Sequence, residues 1–262
     1  MLEANHSLSQ KEEWQVNEMK ALLLNERGNQ DEFLPIWYKL LKQYREADRP
    51  EDVGKCLLTI ANHFIMLEDY ENALPLYKEA YQLALEHKSI ELQQVSGIML
   101  IKYLCGARYY SESLEYYNKI KPEIAFNPSM QNEVVKSYME LNKPDSARIY
   151  LAARLLSERG DKIVLNCMMA ETYITEELED SAFVFLDRPM KSYKERAKNY
   201  QKKGKEPILP NCFLSPCYSF ADLLWKKGKI QQASQYYMIV EPLMKERVKT
   251  PVRMELQIKA LT

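Results

Sequence analysis

Asp69-Tyr70-Glu71-Asn72-Ala73-Leu74 decides the reading of this chain, because versions of it return four more times. They are Tyr109-Tyr110-Ser111-Glu112-Ser113-Leu114, Lys143-Pro144-Asp145-Ser146-Ala147-Arg148, Glu179-Asp180-Ser181-Ala182-Phe183 and Lys229-Ile230-Gln231-Gln232-Ala233-Ser234. Each is a polar turn leading to a small residue, Ala73, Ser113, Ala147, Ala182 or Ala233. Four residues later, one helical turn on, stands Tyr77, Tyr117, Leu151, Leu186 or Tyr237. The intervals between the small residues are 40, 34, 35 and 51, so the base period reads as about 34.

A second helical pattern precedes every small residue, with apolar groups three and four apart. Leu57, Ile60, Ala61 and Phe64 form the first. Leu100, Ile101 and Leu104, then Val134, Val135 and Tyr138, then Met169, Ala170 and Tyr173, then Phe220, Ala221 and Leu224 take equivalent places. Each unit is therefore helix, short turn, helix. The small residue falls early in the second helix, where axes about 8 to 10 Å apart leave no room for a large side chain.

Composition supports this. Only 7 of 262 residues are glycine, against a usual share of about 7%. Parallel α/β folds, phosphate-cradling loops and tight hairpins need more positions that tolerate positive φ. A net charge of −1 gives the whole molecule no field that demands nucleic acid or an anionic membrane. Five cysteines, Cys56, Cys105, Cys167, Cys212 and Cys217, form an odd set without a C-x-x-C pair, which argues for reduced, mostly buried thiols. Packing is the expected role of Cys212-x4-Cys217. No apolar run approaches the ~18 residues that span a bilayer, and the first ten residues hold no signal-peptide core. A soluble protein, cytoplasmic by composition, is expected, or a periplasmic one if a signal or anchor was trimmed.

These residues resemble the tetratricopeptide repeat, a 34-residue helix-turn-helix unit with a comparable small and aromatic pattern. The match covers about residues 54 to 248. It is best in 54–87, where Ala61, Phe64, Tyr70, Ala73, Tyr77 and Ala80 fall in register. Elsewhere the early tryptophan is absent, Ser113 replaces alanine, and Arg154 and Pro189 take the place of Ala80. The resemblance implies an all-α fold, a right-handed α-solenoid of stacked antiparallel helix pairs forming one domain over 1–262. Its units would be 12–45, 54–87, 94–127, 128–161, 163–213 and 214–248, with 250–262 beginning a capping or truncated helix. The first unit turns at Asn29-Gln30-Asp31-Glu32-Phe33-Leu34 and carries Trp37, Tyr38, Leu40 and Leu41 in its second helix. In texture, through the Asp-Ser-Ala turns at 145–147 and 180–182, the chain also resembles the repeat region of bacterial regulators, especially of the Bacteroidetes type.

The 51-residue interval holds an insertion. Its segment 188–205 carries eight basic residues and one acidic and reads as a long helix extension with a solvated face. Ile208-Leu209-Pro210 and Ser215-Pro216 then read as breaks that return the chain to the next unit.

Catalysis finds no anchor. His6, His63 and His87 show neither metal-protease spacing nor a nucleophile and carboxylate set, and His63 and His87 read as helix-surface or helix-end residues. No Walker loop, G-x-G-x-x-G or G-x-S-x-G is present. The protein is not expected to be an enzyme, to take a cofactor or metal, or to act on a small-molecule substrate.

Stacked helix pairs present their first helices along a concave surface. By projection and by the resemblance, Asn62, Lys102, Lys136, Glu171 and Asp222 form a ladder there, with Leu58, Ile98, Asn132, Cys167 and Tyr218 one turn earlier. Ile65, Met66, Met139, Ile174 and Trp225 lie nearby. Such a surface suits a peptide or protein segment of mixed charge, captured without turnover. Tetratricopeptide co-chaperones that grip acidic chaperone C-termini are excluded. Only Asn62 matches their clamp, whose other places fall on Leu58, Met99, Ser129 and Glu133, none able to make a charge-assisted contact to a carboxylate. A self-associating scaffold or adaptor, pairing copies through an exposed final helix from Pro251 to Leu261, is the alternative. Nucleic-acid binding through 188–205 ranks below it, since no recognition helix is evident.

Overall fold

The structure, a computed structural model, describes residues 9–27, 29–120, 130–157, 161–202 and 211–245. Every regular element among them is helical. In chain order these are α1 (Gln10–Glu26), α2 (Gln30–Glu46), α3 (Pro50–Met66), α4 (Tyr70–Glu86), α5 (Ile90–Gly106) and α6 (Tyr110–Lys119). Then come α7 (Gln131–Glu140), α8 (Pro144–Leu156), α9 (Lys162–Thr175) and α10 (Glu179–Lys202). A 3-10 turn, Asn211–Phe213, leads into α11 (Leu214–Lys226), and α12 (Ile230–Lys245) follows. None of the described helices is long and apolar enough to cross a membrane.

One reversal recurs. After α3, the Glu68 N–H donates to the Ile65 carbonyl at 3.0 Å and the Asp69 N–H to the Phe64 carbonyl at 2.9 Å, the paired bonds of a Schellman end. Glu68 itself lies at φ 57°. The same bonds surround Asp48, Lys88, Arg108, Asn142, Glu177 and Gly228, each also at positive φ. Of these only Gly228 is glycine. The small residues Ala73, Ser113, Ala147, Ala182 and Ala233 each stand five places after such a residue, and all are fully buried. Local caps sharpen some starts: Ser9 and Glu12 form a reciprocal capping box, and Asp69 and Asp161 accept from the N–H groups of Asn72 and Ile163.

The period differs from the expected 34 in the first half of the chain. Helices α2 to α5 each have 17 residues. A three-residue turn after each makes the helix repeat 20 and the pair repeat 40. The shorter intervals arise where α7, α8 and α9 have only 10, 13 and 14 residues. Phe33 precedes Ala73 by the same 40, and Pro35 and Pro75 follow them at exposed positions inside α2 and α4. The 24-residue α10 carries the basic insertion as helix to Lys202, the rest of 188–205 lying outside the described residues. Pro216 sits in the first turn of α11 instead of ending a helix, a place where proline's missing N–H leaves no bond unmade. Ile208-Leu209-Pro210 and the final segment 250–262 also lie outside the described residues.

Contacts divide the chain into two compact units, Met1–Glu133 and Val134–Thr262. In the first, α1 packs on α2, α3 on α4 and α5 on α6, with α2 against α3 and α4 against α5. Its core runs from Trp14, Phe33, Trp37 and Leu57 to Tyr77, Leu100 and Leu104. Serine replaces alanine at 113 because its hydroxyl donates to the Ile101 carbonyl across the α5–α6 contact, at 2.9 Å. In the second unit, α9 packs on α8, α10 and α11, and α11 on α12, around Phe213, Phe220, Leu186 and Tyr237.

His63 is a correction to the surface reading. It is 3% exposed, its ring stacked on Phe33 at 4.7 Å, and neither ring nitrogen has a hydrogen-bond partner. Burial holds its pKa below the ordinary 6.5, so the unfolded chain takes the proton first. The stability owed to neutral His63 is present above pH 6.5 and is lost as the pH falls through that value toward the lower folded one. Urea midpoints taken between about pH 7.5 and 5.5 should fall for the parent and stay nearly level for His63→Phe. An equal slope in both would remove His63 from the account.

Candidate binding faces of the first helices

In the first unit the first helices of successive pairs, α3 and α5, touch directly. Their second helices, α4 and α6, flank a cleft of about 410 Å³ and meet edge-on through Tyr81 and Tyr116, ring centroids 5.6 Å apart. The second unit repeats this: α9 touches α11, while α10 and α12 enclose a cleft of about 480 Å³. The first helices α3 and α5, and α9 and α11, thus lie side by side, with a cleft between the second helices that follow them.

On the face of α3 and α5, Leu58, Ile65 and Ile98 are half-buried, Asn62 and Lys102 are exposed, and Met66 is 70% exposed. Asn62 is tied into its own helix pair, its side-chain carbonyl accepting from the Tyr77 hydroxyl at 2.5 Å. The Tyr77 ring stacks on Tyr103 at 5.2 Å, and the Lys102 ammonium lies 5.3 Å from the Tyr103 centroid. Asn62, Tyr77, Tyr103 and Lys102 thereby form one chain of contacts across α3, α4 and α5, with Asn62 and Lys102 exposed, Tyr103 half-buried and Tyr77 fully buried beneath them. Burial raises the Tyr77 pKa, so its hydroxyl remains the donor.

On α7, Asn132 and Lys136 are exposed one turn apart and Met139 is half-buried. On α9 and α11 the predicted positions sit deeper. Cys167 is 2% exposed and belongs to the core. Ile174, Tyr218 and Trp225 are half-buried against that core. Asp222 accepts from the Tyr237 hydroxyl, the counterpart of Asn62 and Tyr77, and Tyr218 meets the Tyr237 ring edge-on at 5.9 Å. Burial raises the pKa of Glu171, against which a hydrogen bond with Ser215 works. The five ladder positions therefore divide: Lys102 and Lys136 extend into solvent, while Asn62, Asp222 and Glu171 are engaged by hydroxyls of their own unit.

Tyr77 and Tyr237, buried beneath these faces, and the half-buried Tyr103 were not among the expected site residues. The spacing of 15 shared by Asn62 with Tyr77 and Asp222 with Tyr237 was the available signal. Among the described residues no group of His, Cys, Asp or Glu could hold a metal ion. No protein-family model matches this chain, and no curated protein matches it.

Proposed function

We propose that this protein is a non-catalytic interaction module of tetratricopeptide type that captures a peptide or protein segment on its first-helix faces. We further propose that it serves a bacterial regulatory protein as a sensing or scaffolding part. One observation carries the binding reading: the first helices α3 and α5, and likewise α9 and α11, lie side by side. That arrangement leaves apolar and cationic side chains, the exposed Met66 and Lys102 and the half-buried Ile98 among them, on one surface. Uncovered apolar groups beside a fixed charge are what an extended or helical ligand of mixed charge requires. The 34- and 35-residue intervals from Ser113 to Ala182 support the family reading, and the 40-residue pairs of the first unit are a departure from it.

Affinity for a short segment should be about micromolar, because ordering a flexible ligand offsets much of the contact energy. The test is an array of synthetic mixed-charge peptides probed with the full chain. Lys102→Glu and Lys136→Glu should each weaken capture several-fold, and Lys102→Arg should retain it. Capture unchanged by both reversals would overturn the assignment.

A further inference from the structure

The first-helix face of the first unit runs from negative to positive along its helices. Helix α5 carries Glu91, Val95, Ile98 and Lys102 at steps of four, three and four residues, which places them in one stripe. Helix α3 repeats the stripe 40 residues earlier as Glu51, Lys55, Leu58 and Asn62. A carboxylate thus opens each stripe, an aliphatic side chain stands within it, and a polar group closes it. Both carboxylates, Asn62 and Lys102 are exposed.

At the carboxylate ends of α3 and α5 lies a pocket of about 150 Å³, whose lining includes Glu51, Lys55, Leu58, Glu91, Leu92 and Val95. Leu92 is its buried member, 7% exposed, seated against Gly54 of α3, where a Cβ would run into the leucine side chain. Leu58 is half-buried and Val95 39% exposed, so apolar surface meets solvent inside a charged rim. A space of this size holds a group about as large as benzene, enough for one aliphatic side chain.

On the reading that this face captures a segment, we propose that the pocket seats one aliphatic side chain of that segment, with Glu51 and Glu91 taking its basic residue and Lys102 its acidic one.

Charge sets the two ends. Lys55 stands one turn from Glu51 and offsets it, whereas the same place on α5 is Val95, so the excess negative charge lies at Glu91. Among the described residues no ion pair takes up Glu91 or Lys102; the Lys102 ammonium rests instead over the Tyr103 ring. The helical rise from Glu91 to Lys102 is about 16 Å, which an extended segment covers in about five residues. Val95 divides that interval nearer to Glu91. The fitting order is therefore a basic residue, one spacer, leucine, two spacers and an acidic residue, read in either chain direction.

The test measures binding of such fluorescent peptides to the full chain by anisotropy. The parent should lose roughly tenfold in affinity when the peptide's leucine is made alanine. It should lose roughly three- to fivefold when the peptide's basic residue is made acidic. The double variant Glu51→Lys/Glu91→Lys should invert that last preference and bind the doubly acidic peptide better than the mixed one. Inversion is a gain of binding, so a damaged fold cannot produce it. A double variant that keeps the parent's preference, or an alanine peptide that binds as well as the leucine one, overturns the proposal; if Lys102→Glu still weakens capture in that event, capture on this face stands without it. Absence of binding for every peptide of the set would overturn both.

Discussion

Replacing Asp48, Glu68, Lys88 and Arg108 together by glycine should stabilise the first unit by roughly 2 to 4 kcal/mol, although no contact is added. All four occupy the left-handed region, at φ 50°, 57°, 56° and 66°, and all four side chains are exposed. A Cβ in that region crowds the neighbouring carbonyl at a cost of about 1 kcal/mol or more, which glycine avoids. Glycine also gives the unfolded chain more freedom, which takes back part of the gain and leaves about 0.5 to 1 kcal/mol per site. The turns are separated by whole 17-residue helices, about 25 Å long, so the increments should add. Urea unfolding at constant slope measures the sum. The control is glycine in the exposed helix interior, at Lys39, where about 1 kcal/mol should be lost. A quadruple variant no more stable than the parent would mean that these turns are not held as described.

Ala73→Tyr should act in the opposite direction. Ala73 is fully buried and shares a cluster with Ala61, Tyr77 and Leu100, at the place where α4 crosses α3. A phenol there has no volume to enter, and displacing its neighbours should cost roughly 1 to 3 kcal/mol. At a typical slope near 2 kcal/mol per molar, the urea midpoint should drop by about 0.5 to 1.5 M. Glu71→Tyr, two residues earlier and exposed, should leave the midpoint within error. If Ala73→Tyr does the same, the assignment of the small-residue register is wrong.

Steric exclusion explains why the helix pairs were legible. A position that admits only alanine or serine returns at Ala73, Ser113, Ala147, Ala182 and Ala233 whatever else drifts, and it marks every second helix. Helix length was not legible, because a solvent-exposed turn added to both helices of a pair leaves the packing pattern intact. The 34-residue intervals near α7 and α8 consequently stood for the whole, although Leu34-Pro35 and Leu74-Pro75 already stood 40 apart. The turns hid for a related reason: the search for positive φ looks for glycine, and Glu68 or Lys88 gives no such signal. His63 reads as an ordinary polar residue on an amphipathic helix, and only the stacking of Phe33 from α2 shows that it is buried.

At the binding faces, helical phase placed Lys102 and Lys136 in solvent. It could not show that Asn62 and Asp222 are the acceptors of tyrosines from the following helix. Phase describes one helix at a time, whereas a hydrogen bond such as Tyr77 to Asn62 belongs to two. Cys167 illustrates the same limit. Its phase matches Leu58 and Ile98, but the 3-10 turn lies over α9 in the second unit and encloses it.

Ion pairs link successive second helices of the first unit, the exposed Arg45 of α2 with Glu79 of α4 and the half-buried Lys78 of α4 with Glu112 of α6 beside the cleft. Such pairs are worth less than about 1 kcal/mol each and weaken in salt, whereas the first helices meet through apolar contact that salt does not screen. Within the first unit these surface ion pairs lie outside an apolar seam that second helices also share, through Ala80 near α2 and Tyr81 against Tyr116. A ligand that spreads or closes the first-helix face does so by straining these outer pairs as well. Capture of even an uncharged ligand should therefore vary with ionic strength, through charges that the ligand never touches.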